Sequence, residues 1–256
     1  MADNQLVAQM YYYLHIEKNM GNSIRTLVAQ NIGRHYFRNL FFPGRRLSQH
    51  QAVSFDVHSD SANQTIQIIQ NSSPMVKIVL CNMPFGIHRE VNKPIKYITT
   101  LRNPIERARS YWKEMYRHRN NSPYWRICEE KNFDIEEICN TQIVLSLTND
   151  QTRIVSGTNQ LEIDSQILNF AKNNIRDHFV LIGHMDQTEK FLVRLKKLLE
   201  IENSTDVHDN KAPDRDDTPF PDYFDEVMKF YNKYDDELCA WVKEEDFKKR
   251  DVECVK

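Results

Sequence analysis

Two hydrophobic periods alternate along the first hundred residues. Tyr11 to Ile16 (YYYLHI) is a continuous aromatic and apolar run, which predicts a buried strand. From Asn22 to Ile32 the apolar residues Ile24, Leu27, Val28 and Ile32 recur at helical spacing. The segment reads as strand, short polar loop, helix. Residues 75–80 (MVKIVL) and 95–101 (IKYITTL) predict two further strands, the second followed by Pro104 at a first helical position. Helical spacing then dominates over 104–119, 133–147, 164–175, 186–201 and 221–245, with one short strand at His178 to Ile182 (HFVLI). Strands alternating with helices predict an α/β chain with a three-layer, P-loop-like fold: a central parallel sheet flanked by helices on both faces. Ligands of such sheets sit at the carboxyl ends of the strands.

Composition sharpens this in three ways. With 256 residues, 40% of them hydrophobic, the chain can bury a large core, and its 6 Gly and 9 Pro form no linker-like stretch, so a single domain over residues 1–256 is expected. No stretch approaches the roughly 20 apolar residues of a membrane span, and Met1 to Met10 lacks the features of a signal peptide, so a cytoplasmic protein without a membrane span is expected. The cysteines Cys81, Cys128, Cys139, Cys239 and Cys254 are odd in number and contain no C-x-x-C pair. They read as reduced packing residues rather than a disulfide framework or a zinc site.

A net charge of −2 conceals an asymmetry. Residues 201–256, a helix-rich acidic part, carry 17 acids and 9 bases, leaving 19 acids and 25 bases in residues 1–200. The basic portion is where an anionic ligand is expected. A nucleic-acid partner would call for a high pI and a clustered basic stripe, and the sequence pI of about 6.5 argues against one.

Two segments carry the chemistry. In His15 to Arg25 (HIEKNMGNSIR), a strand ends in Lys18 and a polar loop leads into a helix at Asn22 or Ser23. Amides at a helix N-terminus, the positive end of its dipole and a nearby lysine favour a phosphate-like anion. The plain alternative is an N-capped helix with Lys18 solvated. The segment lacks the G-x-x-x-x-G-K-[ST] of a Walker A loop. In Ile98 to Tyr111 (ITTLRNPIERARSY), Arg102 closes a strand, Asn103 caps, Pro104 opens a helix and Ser110 lies seven positions on, sharing a helix face with Asn103. Arginine plus hydroxyl suits a terminal phosphate. The alternative is a surface helix with Glu106 and Arg107 solvated and Arg102 tied to a structural carboxylate.

Taken together these segments resemble the PAPS-dependent sulfotransferases of the carbohydrate type, including bacterial members, related to heparan sulfate 2-O-sulfotransferase. HIEKNMGNS is similar to their 5′-phosphosulfate loop (HIPKTGGTS) and LRNPIERARSY to their 3′-phosphate motif (LRDPVERxxSxY). CNMPFGIH at 81–88 resembles GHMPFGLH, NDQTRIVSG at 149–157 resembles NxQTRxLSG, and HFVLIGHMDQTEKF at 178–191 resembles HFxxVGxxExF. The resemblance implies a sulfotransferase that moves a sulfuryl group from 3′-phosphoadenosine 5′-phosphosulfate (PAPS) to an acceptor hydroxyl and releases PAP without a metal. It implies that Lys18, Asn19, Met20, Gly21, Asn22 and Ser23 hold the 5′-phosphosulfate, with Lys18 stabilising the leaving oxygen, and that Arg102 and Ser110 hold the 3′-phosphate. Arg153 is implied as a contact to cofactor or acceptor, against a structural ion pair. Lys211 and Arg215 lie where many family members close a basic loop, but the acids Asp209, Asp214, Asp216 and Asp217 make a solvated loop the expectation there.

The chain departs from the pattern at Glu17, Met20 and Asn22, which stand for Pro, Gly and Thr, and at Asn82, which stands for a usual His. Asn82 cannot accept the acceptor's proton. His88 is the expected replacement base, with Asp56 and His58 as candidates from a second loop, or Asn82 orienting the acceptor while the proton leaves through water. His15 is expected to pack at its strand end. The acceptor, a carbohydrate or other polyol, would meet loops at 34–60 and at 117–135; the latter is rich in Tyr, Trp, Arg and Asn, which suit a polyol and equally an ordinary surface helix and loop. Rival readings are a PAP-binding protein that does not turn over and an ATP-dependent phosphotransferase.

Overall fold

A strand without a polar face must be covered on both sides, and Tyr12, Tyr13 and Leu14 have no solvent exposure at all. A computed structural model of the chain describes residues 9–32, 52–55, 62–73, 75–202 and 217–244. In chain order these form β1 (Met10–Leu14), α1 (Gly21–Asn31), β2 (Ala52–Phe55), α2 (Ala62–Gln70), β3 (Ile78–Cys81), β4 (Ile95–Leu101), α3 (Pro104–Arg117), α4 (Pro123–Glu130) and α5 (Ile135–Asn140). There follow α6 (Asp150–Ser156), α7 (Ser165–His178), β5 (Phe179–His184), α8 (Thr188–Leu198), α9 (Phe224–Tyr231) and α10 (Lys233–Glu244).

The strands make one sheet in the order β2-β3-β1-β4-β5, every pair parallel, with Leu14 level with Cys81 and Met10 level with Ile95. Alternation along the strands divides the apolar residues between two faces. Tyr12, Leu14, Val79, Cys81, Tyr97 and Leu101 pack into a core with α7 and α10. Tyr13, Ile78, Leu80 and Ile98 pack on the other face against Ile24, Leu27 and Val28 of α1 and Phe191 and Leu195 of α8. The expected three-layer arrangement, a parallel sheet between helices, is therefore present. A further apolar cluster joins α3, α4, α5 and α9, with the Trp112 ring tilted against Trp125 and edge-on to Phe224 at 5.4 and 5.6 Å.

Several elements differ from expectation. The stretch 133–147 is α5 followed by a 3-10 turn at Leu145–Leu147, because Gln142 turns the chain through a positive φ of 51°. The stretch 221–245 is two helices. They part at Asn232, whose side chain accepts from the Asn149 amide at 2.9 Å and donates to the Leu147 carbonyl at 2.7 Å. Residues 117–135 are not an open loop: Ser122 caps α4, Pro123 opens it, and Trp125 is buried. Cys81, Cys128, Cys139 and Cys239 are buried free thiols; Cys254 lies outside the described residues. No helix among the described residues is long and apolar enough to cross a membrane.

Candidate functional site at the carboxyl edge of the sheet

The connection after β1 leaves through α1 on one face of the sheet, while the connection after its neighbour β4 returns through α7 on the other. Loops that diverge in this way open a crevice at the carboxyl ends of the two strands, the usual ligand position in open parallel sheets. The loop 15–20 and Arg102 stand at the two sides of that crevice, and Asn82 follows β3 on the far side of β1.

The two motifs touch. The Arg102 guanidinium donates to the Lys18 carbonyl at 3.3 Å, and both side chains keep 23% exposure. The Arg102 Nε also lies 3.4 Å from Glu106, an exposed i,i+4 pair worth little. The Lys18 ammonium lies 3.5 Å from Glu114 on α3. Glu17, which would repel a phosphate if it faced the loop, is exposed, and its charge falls on Tyr111 and Asp150.

β1 ends at Leu14, short of the expected Lys18, and α1 begins at Gly21, ahead of the expected Asn22 or Ser23. The N-cap is Met20 in the left-handed region (φ 59°), with no side-chain cap and no acid in the first turn. The first intrahelical bond runs from the Ile24 amide to the Met20 carbonyl, so the amides ahead of Ile24 have no acceptor within the helix. Met20 occupies a conformation natural to the Gly of the resembled pattern, at a cost of roughly 1–2 kcal/mol. Its sulfur receives the Thr188 hydroxyl at 3.4 Å, and its side chain joins the core against α8. Gly21 has no such latitude, since a Cβ there would stand 1.9 Å from the His15 ring. His15 packs over it as expected, 3.3 Å from the Arg25 guanidinium. Asn22 is exposed and Ser23 half-buried in the first turn, and Ser110 is half-buried on α3.

Asn19 has 0% exposure, so its side chain acts behind the loop rather than on a ligand. It donates to the Thr100 carbonyl at 2.9 Å and to Gln151 Oε1 at 2.8 Å, while its own carbonyl is reached by the Tyr13 and Thr100 hydroxyls at 3.0 and 2.9 Å. Gln151 completes the clamp: Oε1 also accepts from the Arg102 amide at 2.8 Å and Nε2 donates to the Arg102 carbonyl at 2.9 Å. One side chain therefore ties the Lys18 loop to the end of β4. Gln151 is held in turn by Asp235 of α10, whose carboxylate accepts from the amides of Gln151 and Thr152 at 3.1 and 2.7 Å and so caps α6 from outside. Sequence reasoning passed over Gln151 in favour of its neighbour Arg153, although both lie in the same QTR segment.

Arg153 is buried, and its guanidinium is spent on the carbonyls of Thr148, Gln160 and Leu161, which is a structural role rather than a contact to cofactor or acceptor. Arg107 is likewise buried against Asp150 rather than solvated. Asp56 and His58, with Lys211 and Arg215, lie outside the described residues, as does most of the expected acceptor loop at 34–60.

His88 is not at the carboxyl edge. Its Nδ1 lies 2.8 Å from the Tyr97 hydroxyl and its ring 4.6 Å from that of His178. Tyr97 precedes the end of β4 by four residues, roughly 13 Å of strand, so His88 is too remote to serve as the base beside Lys18. Glu114, which sequence reasoning did not single out, is the carboxylate placed there.

Burial, then the charges of His178 and Arg89, holds the His88 imidazole below its ordinary pKa, and burial does the same at His178. A base depressed in the folded state contributes its full stability above the unfolded value of about 6.5 and loses it as pH falls below. The melting temperature is therefore expected to drop between about pH 7.5 and 5.5, and His88→Gln to shrink that drop. An unchanged drop in thermal melts would place the acid sensitivity elsewhere.

Fold and edge define the class: a parallel-sheet α/β protein whose switch point carries a loop with Lys18 and a helix N-terminus without a side-chain cap. No protein-family model matches the sequence, and no curated protein matches it at a significant level.

Proposed function

We propose that the chain is a PAPS-dependent sulfotransferase with a P-loop-like nucleotide site, acting on a hydroxyl of a carbohydrate or other polyol. The observation that carries this reading is the contact between Arg102 and the Lys18 loop beside the uncapped start of α1. An arginine and a helix N-terminus without a side-chain cap at the ends of adjacent strands support the reading, because a nucleotide phosphorylated at both 5′ and 3′ positions needs two such groups of different chemistry.

Lys18 and the first-turn amides of α1 receive the 5′-phosphosulfate. Arg102, with Ser110, receives the 3′-phosphate. Asn19 and Gln151 hold the two segments at fixed separation. The acceptor oxygen attacks sulfur in line, the bond from sulfur to the bridging oxygen breaks, and the electron pair leaves with PAP. Lys18 neutralises the charge that develops there, and the acceptor's proton passes to Glu114 or to water.

The test is calorimetric titration with PAP, 5′-AMP and ADP in the presence of a metal chelator. Micromolar PAP binding with little AMP or ADP binding is expected, and absence of PAP binding overturns the reading. Asn82 favours a second reading, a PAP-binding protein that does not turn over. PAP binding without sulfuryl transfer to any of a panel of polyols would select it.

A further inference from the structure

On the side of α3 occupied by α5 and α9, the surface carries a groove unrelated to the sheet edge. It has a volume of about 820 Å³ and lies between the loop and first turn of α5 on one side and the lead-in and outer face of α9 on the other. Each wall supplies two carboxylates, Asp134 and Glu136 from the first and Asp222 and Glu226 from the second, and no Lys, Arg or His lines it. Asp134 is engaged in capping α5. Among the described residues no ion pair reaches Glu136, Asp222 or Glu226.

Between the acids the lining is aromatic. Tyr223 and Phe230 are 74% and 70% exposed, unusual for side chains of their size, and Phe133 and Phe220 stand with them. Aromatic faces interleaved with carboxylates attract a cation with an apolar stem, because the ring quadrupole and the charge act on the head while the stem covers apolar surface. Beside the groove the chain makes this contact with its own residues. The Arg109 guanidinium lies 5.0 Å from the centroid of Phe220 and is held by both oxygens of Asp225 at 2.7 and 2.6 Å, and Lys113 approaches the same ring at 6.0 Å.

We infer that this groove is a docking site for a basic peptide segment of a partner protein, taking at least two Arg or Lys side chains between the acid pairs of its two walls, with Tyr223 and Phe230 against their stems. The opposing acid pairs call for more than one positive charge, and the volume and open form fit a short extended segment better than a single ammonium ion. The site stands apart from the proposed nucleotide crevice and does not depend on it.

The experiment is fluorescence anisotropy of a labelled hexapeptide alternating Arg and Gly, titrated with the full chain at about 50 mM salt, beside its Glu-for-Arg counterpart. The Arg peptide is expected to bind and the Glu peptide not to. Glu136→Gln with Glu226→Gln, and separately Tyr223→Ala with Phe230→Ala, are each expected to weaken binding about fivefold or more. All four residues are exposed, so these variants are expected to fold. Glu189→Gln on the distant α8 and Lys18→Ala are expected to leave binding unchanged. Failure of the Arg peptide to bind, binding insensitive to the two aromatic substitutions, or equal weakening by Glu189→Gln would overturn the inference, the last two by reducing it to general attraction between opposite charges.

Discussion

Alanine in place of Lys18 is expected to lower turnover with saturating PAPS by about two to three orders of magnitude, the usual cost of removing a group aimed at charge that develops only in the transition state. PAP affinity should fall much less, because the α1 amides and Arg102 remain. Arg102→Ala should show the reverse signature. A charge-assisted contact to phosphate is worth about 1.5–3 kcal/mol, so PAP binding should weaken by roughly one to two orders of magnitude while 5′-AMP, which lacks the 3′-phosphate, is nearly unaffected. Steady-state kinetics at saturating PAPS and calorimetry with PAP and AMP separate the two. Turnover in Lys18→Ala within a few fold of the parent would remove Lys18 from the reaction, and equal loss of PAP and AMP binding in Arg102→Ala would make Arg102 a support for the Lys18 loop alone.

The largest effect on stability is expected at Arg107. Its side chain has 0% exposure, with Asp150 at 3.0 Å, the Ser146 carbonyl as a second acceptor and Nε without a partner. Burial pushes the Asp150 carboxyl up to about 6, against the pull of Arg107. Arg107→Met should cost about 3–5 kcal/mol near pH 8, because it strands a buried carboxylate. The sign with pH follows from that raised value. An acid whose folded pKa lies above its unfolded 3.8 is stabilising to keep protonated, so the penalty grows as pH rises through the folded value and shrinks as pH falls toward 5. Pairing the change with Asp150→Leu should recover most of the loss. Urea unfolding of the parent and the two variants at two pH values measures this, and a cost of Arg107→Met under about 1 kcal/mol at pH 8 would show that the ion pair contributes little.

What was legible in the sequence follows from how local each cause is. The strand at 95–101 and the cap and proline of α3 could be read because aromatic and β-branched runs, Asn103 and Pro104 act within a few residues; Asn103 does accept from the Glu106 amide. The signal for α4 is also local, Ser122 followed by Pro123, whereas the composition of YRHRNNSPYWR suits an acceptor surface and an ordinary helix and loop equally; a capped helix is what forms. α6 could not be read in this way. Its residues Asp150, Gln151, Thr152 and Arg153 are polar yet buried: Arg107 pairs with Asp150, Asp235 accepts from the Gln151 and Thr152 amides and Gln151 reaches Arg102, all from far along the chain, while Arg153 is held by the nearby carbonyls of Thr148, Gln160 and Leu161. The site divides along the same line. Lys18 and Arg102 could be picked out by charge and position, whereas Gln151 and Glu114 matter through contacts spanning from 49 positions of sequence upward. His88 failed for a related reason: seven positions past the end of β3 at Cys81 place no constraint on which way the chain turns, and here it runs back along the sheet to Tyr97.

The strand order also bears on how the protein is made. β1 is the middle strand, apolar on both faces, and its partners β3 and β4 begin only at Ile78 and Ile95. At synthesis rates of about 5–20 residues per second, more than sixty residues separate β1 from its first neighbour by roughly 3 to 13 seconds. During that interval a strand that is apolar on both faces waits with both edges open, which makes the nascent chain a client for chaperones that shield extended apolar stretches. Recovery of native protein should therefore depend more on the pace of translation and on chaperone supply than on the stability of the finished sheet.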